Sequence, residues 1–166
     1  MPVDVGDRTH AGAQAEADAL HDCAEKLLDL LDRTDDELDV ILVDDAEIRD
    51  LNRSYRSRDR ATDVLSFSQL EQHADDDSGA TSGHPDETVL LGDVVISIET
   101  AARQAAAGGW ALDEELNRLL LHGLLHLLGY DHEAGPEQER IMTAEESRLA
   151  GQLVTAGFSC AREGAI

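Results

Sequence analysis

The apolar positions change period several times along the chain, and each change marks an element. Leu20, Cys23, Leu27 and Leu31 recur at helical spacing between Ala13 and Leu31, with Asp and Glu between them, which predicts an amphipathic helix. Val3 to Val5 and Leu38 to Val43 (LDVILV) are short β-branched runs, predicted as strands. Asp44 or Asp45 is placed to cap a helix carrying Ile48, Leu51 and Tyr55 on its apolar side. Asp63 to Phe67 (DVLSF) and Val89 to Ile98 (VLLGDVVISI) are further strands, and Gly92 in the second marks a bulge or the close approach of another backbone. Thr100 to Ala107 reads as a short Ala-rich helix stopped by Gly108 and Gly109. Asp113 is placed to cap the next helix, whose buried side is Leu116, Leu119, Leu120, Leu124 and Leu127 and whose end is Gly129. Pro136 suits the first position of a last helix running to about Leu149. This mixed order predicts an α+β fold, a small mixed β-sheet packed against several helices. Glu71 to Thr88, rich in Asp, Ser, Gly and Thr, is expected to be an exposed, disordered acidic insertion within a single domain spanning 1–166.

Composition narrows the function. At 166 residues there is enough chain for one substantial core. The 42% apolar content excludes a wholly disordered acidic protein, while 3% aromatic content means a core of Leu, Val, Ile and Ala. Thirty-six acidic residues against thirteen basic ones give a net charge of −23, which repels nucleic acid and anionic membranes unless positive charge is gathered locally. Lys26 is the only lysine among the basic residues. That bias, with so many Asp, predicts a high-salt habitat in which screening weakens self-repulsion. The N-terminus has no basic segment followed by an apolar run, so no signal peptide is expected. The longest apolar stretch, Leu119 to Tyr130, is too short to span a bilayer. Cys23 and Cys160 form no CxxC pair and suit idle thiols of a reducing cytoplasm. The expected location is cytoplasmic, with no membrane partner.

The chemistry concentrates in Leu121 to Glu133, L-H-G-L-L-H-L-L-G-Y-D-H-E. His122 and His126, four apart, project from one helical face. A turn at Gly129 brings His132 back toward them. Three neutral imidazoles then form a Zn²⁺ site, one ion per chain, at a helix C-terminus and its following turn, with a fourth position open. Asp131 is placed to orient His132. His10, His21, His73 and His84 read as solvated surface. The spacing H-x-x-x-H-x-x-G-x-x-H is shared with metzincin peptidases, which need a Glu after the first His as general base; Gly123 stands there instead.

Positive charge gathers in one place. Arg49, Arg53, Arg56, Arg58 and Arg60 face only Asp50 and Asp59, so this window carries +3 and the rest of the chain −26. Arg49, Arg53, Arg56 and Arg60 would form a stripe if the helix persisted, and guanidinium forks match phosphate oxygens. Surface ion pairs are the competing reading of this cluster.

The run from His122 to His132 resembles the signature of the YbeY endoribonucleases. The resemblance extends to Leu51-Asn-Arg-Ser-Tyr-Arg56, Thr62-Asp-Val-Leu-Ser-Phe67 and Leu91-Gly-Asp-Val-Val-Ile-Ser97, and so covers about residues 38 to 150. It implies zinc on His122, His126 and His132, a functional Arg56 and an α+β sandwich; with a phosphodiester substrate so suggested, the charge stripe makes Arg49, Arg53 and Arg60 lesser, electrostatic RNA contacts. The activity it implies is single-strand-specific RNA cleavage in small-subunit rRNA 3′-end maturation and ribosome quality control. Single-stranded RNA, rRNA and ribosomal particles are the implied partners. Ala61 and Ser68 replace prolines common in the family, and 71–88 is an added acidic segment; both departures are expected to affect loops. A metzincin-like peptidase and a non-enzymatic ribosome-assembly factor with structural zinc are the alternatives.

Overall fold

The computed structural model describes residues 3–56, 62–69, 89–131 and 134–161. Its elements are β1 (Val3–Asp7), α1 (Gln14–Leu30), β2 (Glu37–Val43), α2 (Asp45–Arg56), β3 (Val64–Ser68), β4 (Leu90–Ser97), α3 (Ile98–Gly108), α4 (Leu112–Leu127) and α5 (Pro136–Thr155). The sheet order is β1-β2-β4-β3, with β1, β2 and β4 parallel and β3 antiparallel to β4 at one edge. This is the expected α+β fold with a mixed sheet. The acidic segment 71–88 lies outside the described residues. Among the described residues, no helix is long and apolar enough to cross a membrane.

Alternation along the strands divides the core in two. Leu38, Val40, Leu42, Val94 and Ile96 join the main cluster with the leucines of α1, α4 and α5. Val43, Leu65 and Val95 point the other way and pack with Ile48 of α2, flanked by Ile41, Leu51 and Phe67. A fully buried leucine contributes about 1.5–3 kcal/mol, so the leucine-rich face carries most of the burial. The other face also keeps two acids side by side. Asp39 and Asp93 stand in register on β2 and β4. Burial, and then the neighbouring Asp39, push the Asp93 carboxyl above its usual range.

Gly92 is where two expectations meet. The register shifts between Glu37 and Leu38, leaving Leu91 as a bulge. Gly92 has φ +138°, and a Cβ there would stand 2.2 Å from the Phe67 carbonyl oxygen. Only glycine allows that approach.

Several boundaries differ from those read in the sequence. α3 begins at Ile98, because the Ser97 hydroxyl accepts the Thr100 N–H at 3.3 Å and converts the end of β4 into a cap. α4 starts at Leu112, not after Asp113; the Glu114 carboxylate reaches back to the Ala111 N–H at 3.2 Å. α5 continues past Leu149 to Thr155, its inner side held by Leu149 and Leu153. Tyr55, expected on the apolar side of α2, is 68% exposed, because α2 buries only Ile48 and Asn52. Ser68, expected in a loop, lies instead in β3, paired with Gly92 of β4.

Candidate metal centre

Helix α4 is enclosed on nearly every side, touching α1, α3, α5, β3 and β4. Between Glu115 and Leu127 every residue but Arg118, His122 and His126 is buried. Their i,i+4 spacing stacks them in one line. The imidazoles meet across it: Nε2 of His126 lies 3.1 Å from Nε2 of His122, with ring centroids 4.6 Å apart. On its other side His122 donates from Nδ1 to Oε1 of Glu146 at 2.6 Å. A carboxylate only accepts, so this partner assigns the ring proton to Nδ1 and leaves a lone pair on Nε2. Both side chains are half-buried, His122 at 24% and Glu146 at 16% exposure.

The pair fits a small cation. Two nitrogens each 2.0–2.1 Å from a tetrahedral zinc stand about 3.3 Å apart, close to the separation here, and neutral imidazoles are ligands of the right softness. A carboxylate behind a ligating histidine is the usual device for fixing its tautomer. Among the described residues no group of three or more His, Cys, Asp or Glu gathers for a metal. His132 lies outside them, so two of the three expected ligands are seen together. Asp131 is exposed. Nothing in the sequence marks Glu146: it lies 24 residues from His122, and beside Glu145 it looks like one more acid on a solvated helix face.

Gly123 faces the sheet. A Cβ there would lie 2.7 Å from Val94 Cγ1 and 3.2 Å from both Ser66 Oγ and Val64 Cγ2. The position that holds the metzincin glutamate is therefore packed shut here, and no carboxylate base fits. The glycine also lets β3 bind the helix, since Ser66 Oγ donates to the Gly123 carbonyl at 3.0 Å and Ser68 Oγ to that of Leu127 at 3.3 Å.

Ser66 links this helix to the arginines. Asp63 accepts from Ser97 N–H and Gln69 donates to Leu91, which turns the peptide groups of the odd-numbered β3 residues toward β4 and leaves the Ser66 carbonyl on the outer edge. Arg56 Nη2 donates to that carbonyl at 2.8 Å. One donor is spent; the guanidinium has five. Arg53 pairs with Asp50 at 3.0 Å, a surface ion pair of the kind the competing reading anticipated. Arg49 is exposed on the same helix. The described helix ends at Arg56, and Arg58 and Arg60 lie outside the described residues. Of the other histidines, His10 is exposed and bonded to Asp44 at 2.6 Å, and His21 is half-buried against Glu25. His73 and His84 lie outside the described residues.

Residues 7–154 match the family described as Endoribonuclease YbeY. The chain belongs to the YbeY family. The Endoribonuclease YbeY of Aquifex aeolicus is 43% identical over 136 residues, 82% of this chain and 83% of that one. The Endoribonuclease YbeY of Anaeromyxobacter dehalogenans is 48% identical over 139 residues, 84% of this chain and 65% of that one. The same architecture is found in a Thermotoga maritima protein solved in solution, with TM-score 0.57, 22% identity and 99% of each chain covered; at that identity the likeness speaks for the fold alone. Within this YbeY-family fold, the family match spans α2, the β3 edge and α4 together.

Proposed function

We propose that this chain is a zinc-dependent endoribonuclease that cuts single-stranded RNA. Its setting is the cytoplasm, in small-subunit rRNA 3′-end maturation and the quality control of ribosomal particles. The observation that carries the proposal is the facing Nε2 pair of His122 and His126, 3.1 Å apart on the half-buried line of an otherwise buried stretch of α4, in a chain whose named relatives are endoribonucleases.

His122, His126 and His132 would hold one zinc per chain, with Glu146 fixing the first ring and Asp131 orienting the third. When bound, zinc supplies Lewis acidity toward a phosphodiester oxygen or a water molecule. Arg56 holds a substrate phosphate and offsets negative charge growing on its oxygens. Arg49, Arg53 and Arg60 add local positive potential within a chain of net charge −23. The packing around Gly123 removes the base that a peptidase of similar spacing requires, which favours a phosphodiester over a peptide bond.

Cleavage of a short single-stranded RNA by the zinc-loaded wild type and by Arg56→Ala and Arg56→Lys tests the assignment. Both variants are expected to be impaired, because lysine keeps the charge and loses the fork. Wild-type rates for Arg56→Ala would remove Arg56 from the site.

A further inference from the structure

We propose that Tyr55 is a stacking platform for one unpaired base of the RNA, a role that deepens the endoribonuclease reading and rests on it. The chain has five aromatic residues, two Phe, two Tyr and one Trp. Phe67, Trp110, Tyr130 and Phe158 are all half-buried; Tyr55 alone is exposed, at 68%. A protein this short of aromatics has placed one of them in water, at a helix position whose spacing from Ile48 and Leu51 suits the core. Such a local departure from the pattern is where function is expected.

The ring is also held. Phe67 of β3 meets it edge to face, with centroids 5.3 Å apart and planes at 70°. Phe67 supports one side, and the exposed remainder offers a fixed aromatic surface. The charge beside it fits a polyanion: Arg53 and Arg56 share the last turn of α2 with Tyr55, inside the one window that carries +3. Arg56 touches the Ser66 carbonyl, and the Ser66 hydroxyl touches the Gly123 carbonyl, next in sequence to His122. A strand with a phosphate on Arg56 can lay the adjoining base on Tyr55. Aromatic stacking is indifferent to base identity, and it needs a base whose face is free. In a duplex both faces are covered by neighbours, so the platform selects single strands.

Two readouts on the full chain test the proposal. A short single-stranded RNA with 2-aminopurine stepped along it reports stacking by its fluorescence when bound. Cleavage of the same RNA, intact or with one abasic position, reports KM and kcat. Wild type is expected to change the 2-aminopurine signal at one position and Tyr55→Ala to lose that change. Tyr55→Ala and Tyr55→Leu should raise KM roughly tenfold with kcat little affected, while Tyr55→Phe and Tyr55→Trp stay near wild type. One abasic position should cost the wild type a similar factor and cost Tyr55→Ala nothing further. Tyr55→Leu keeps apolar bulk against Phe67, so a loss shared with Tyr55→Ala at unchanged melting temperature is not a packing defect. Equal signals and KM in wild type and Tyr55→Ala, or additive abasic losses, would overturn the platform and leave RNA cleavage standing. A wild type that shows the Tyr55-dependent signal but cuts no RNA would overturn the nuclease reading and leave the platform. Absence of both binding and cleavage would overturn both.

Discussion

The two helices that carry the candidate chemistry are held in opposite ways. α4 is enclosed by the sheet and by α1, α3 and α5, and beyond its first turn every residue but Arg118, His122 and His126 is buried. α2 lies on the other face of the sheet and buries only Ile48 and Asn52. Its grip on the fold comes from its ends. Asp45 accepts from Ser97 Oγ and Thr100 Oγ1, both at 2.6 Å, and from Arg103 Nη2 at 2.8 Å. Burial opposes the charge on Asp45, but these hydrogen bonds outweigh it and hold the carboxyl below its usual range. At the other end Arg56 holds the edge of β3. The lesson is a division of labour. On the proposed function, the side chains that would hold a metal sit on the enclosed helix, and those that would receive RNA sit on the one gripped at its ends.

The contrast can be broken from either side. Arg56→Ala should lower kcat on single-stranded RNA by about 100-fold or more and cost stability only its one exposed hydrogen bond to β3, about 1 kcal/mol or less. Gly123→Ala should do the reverse. Its Cβ must displace Val94 and β3, so unfolding should show a loss of about 1–3 kcal/mol, and activity per folded molecule should change less than for Arg56→Ala. A Gly123→Ala protein as stable as wild type would show that α4 is less tightly set than its contacts indicate. Glu146→Ala should weaken zinc binding about 10- to 100-fold, measured by competition with a chelator, while leaving RNA contacts through α2 intact.

The smallest effect belongs to the sheet face under α2. Asp93 has its carboxyl pushed up by burial and by Asp39, so the folded state binds that proton more tightly than the unfolded state, whose value is 3.8. Stability from this group therefore falls as pH rises from 3.8 through the raised value, and it is unfavourable at neutral pH. Asp93→Asn should stabilise the protein at pH 7 by a few tenths to about 1 kcal/mol and remove that part of the pH dependence in melting curves. Destabilisation at pH 7 would contradict it.

These helices also differ in how far the sequence discloses them. His122 and His126 are legible because both contacts and spacing lie within one helical turn, and Gly92 because a single residue type answers a single steric demand. Glu146 is hidden, since no local pattern marks which acid of α5 will face α4. The clearance at Gly123 depends on Val94 and Ser66, from strands that only the folded sheet brings beneath it. Helical periodicity misplaces Tyr55 because it says which residues share a side, and not how wide a strip the partner covers; the cluster under α2 ends at Leu51 and Phe67. The cap at Ser97 is not legible because the residue serves two elements at once: its backbone N–H donates to Asp63 beside β3, while its hydroxyl caps α3 and donates to Asp45.

The proposed function stands or falls with one metal centre, held by His122, His126 and His132, that acts on RNA. Zinc content and RNA cleavage, measured on the same preparations of wild type, His122→Ala, His126→Ala and His132→Ala, test it most directly. About one zinc per wild-type chain is expected, with loss of the metal in each variant and loss of cleavage in step with it. Full zinc occupancy in His132→Ala, or undiminished cleavage in metal-free His126→Ala, would contradict it.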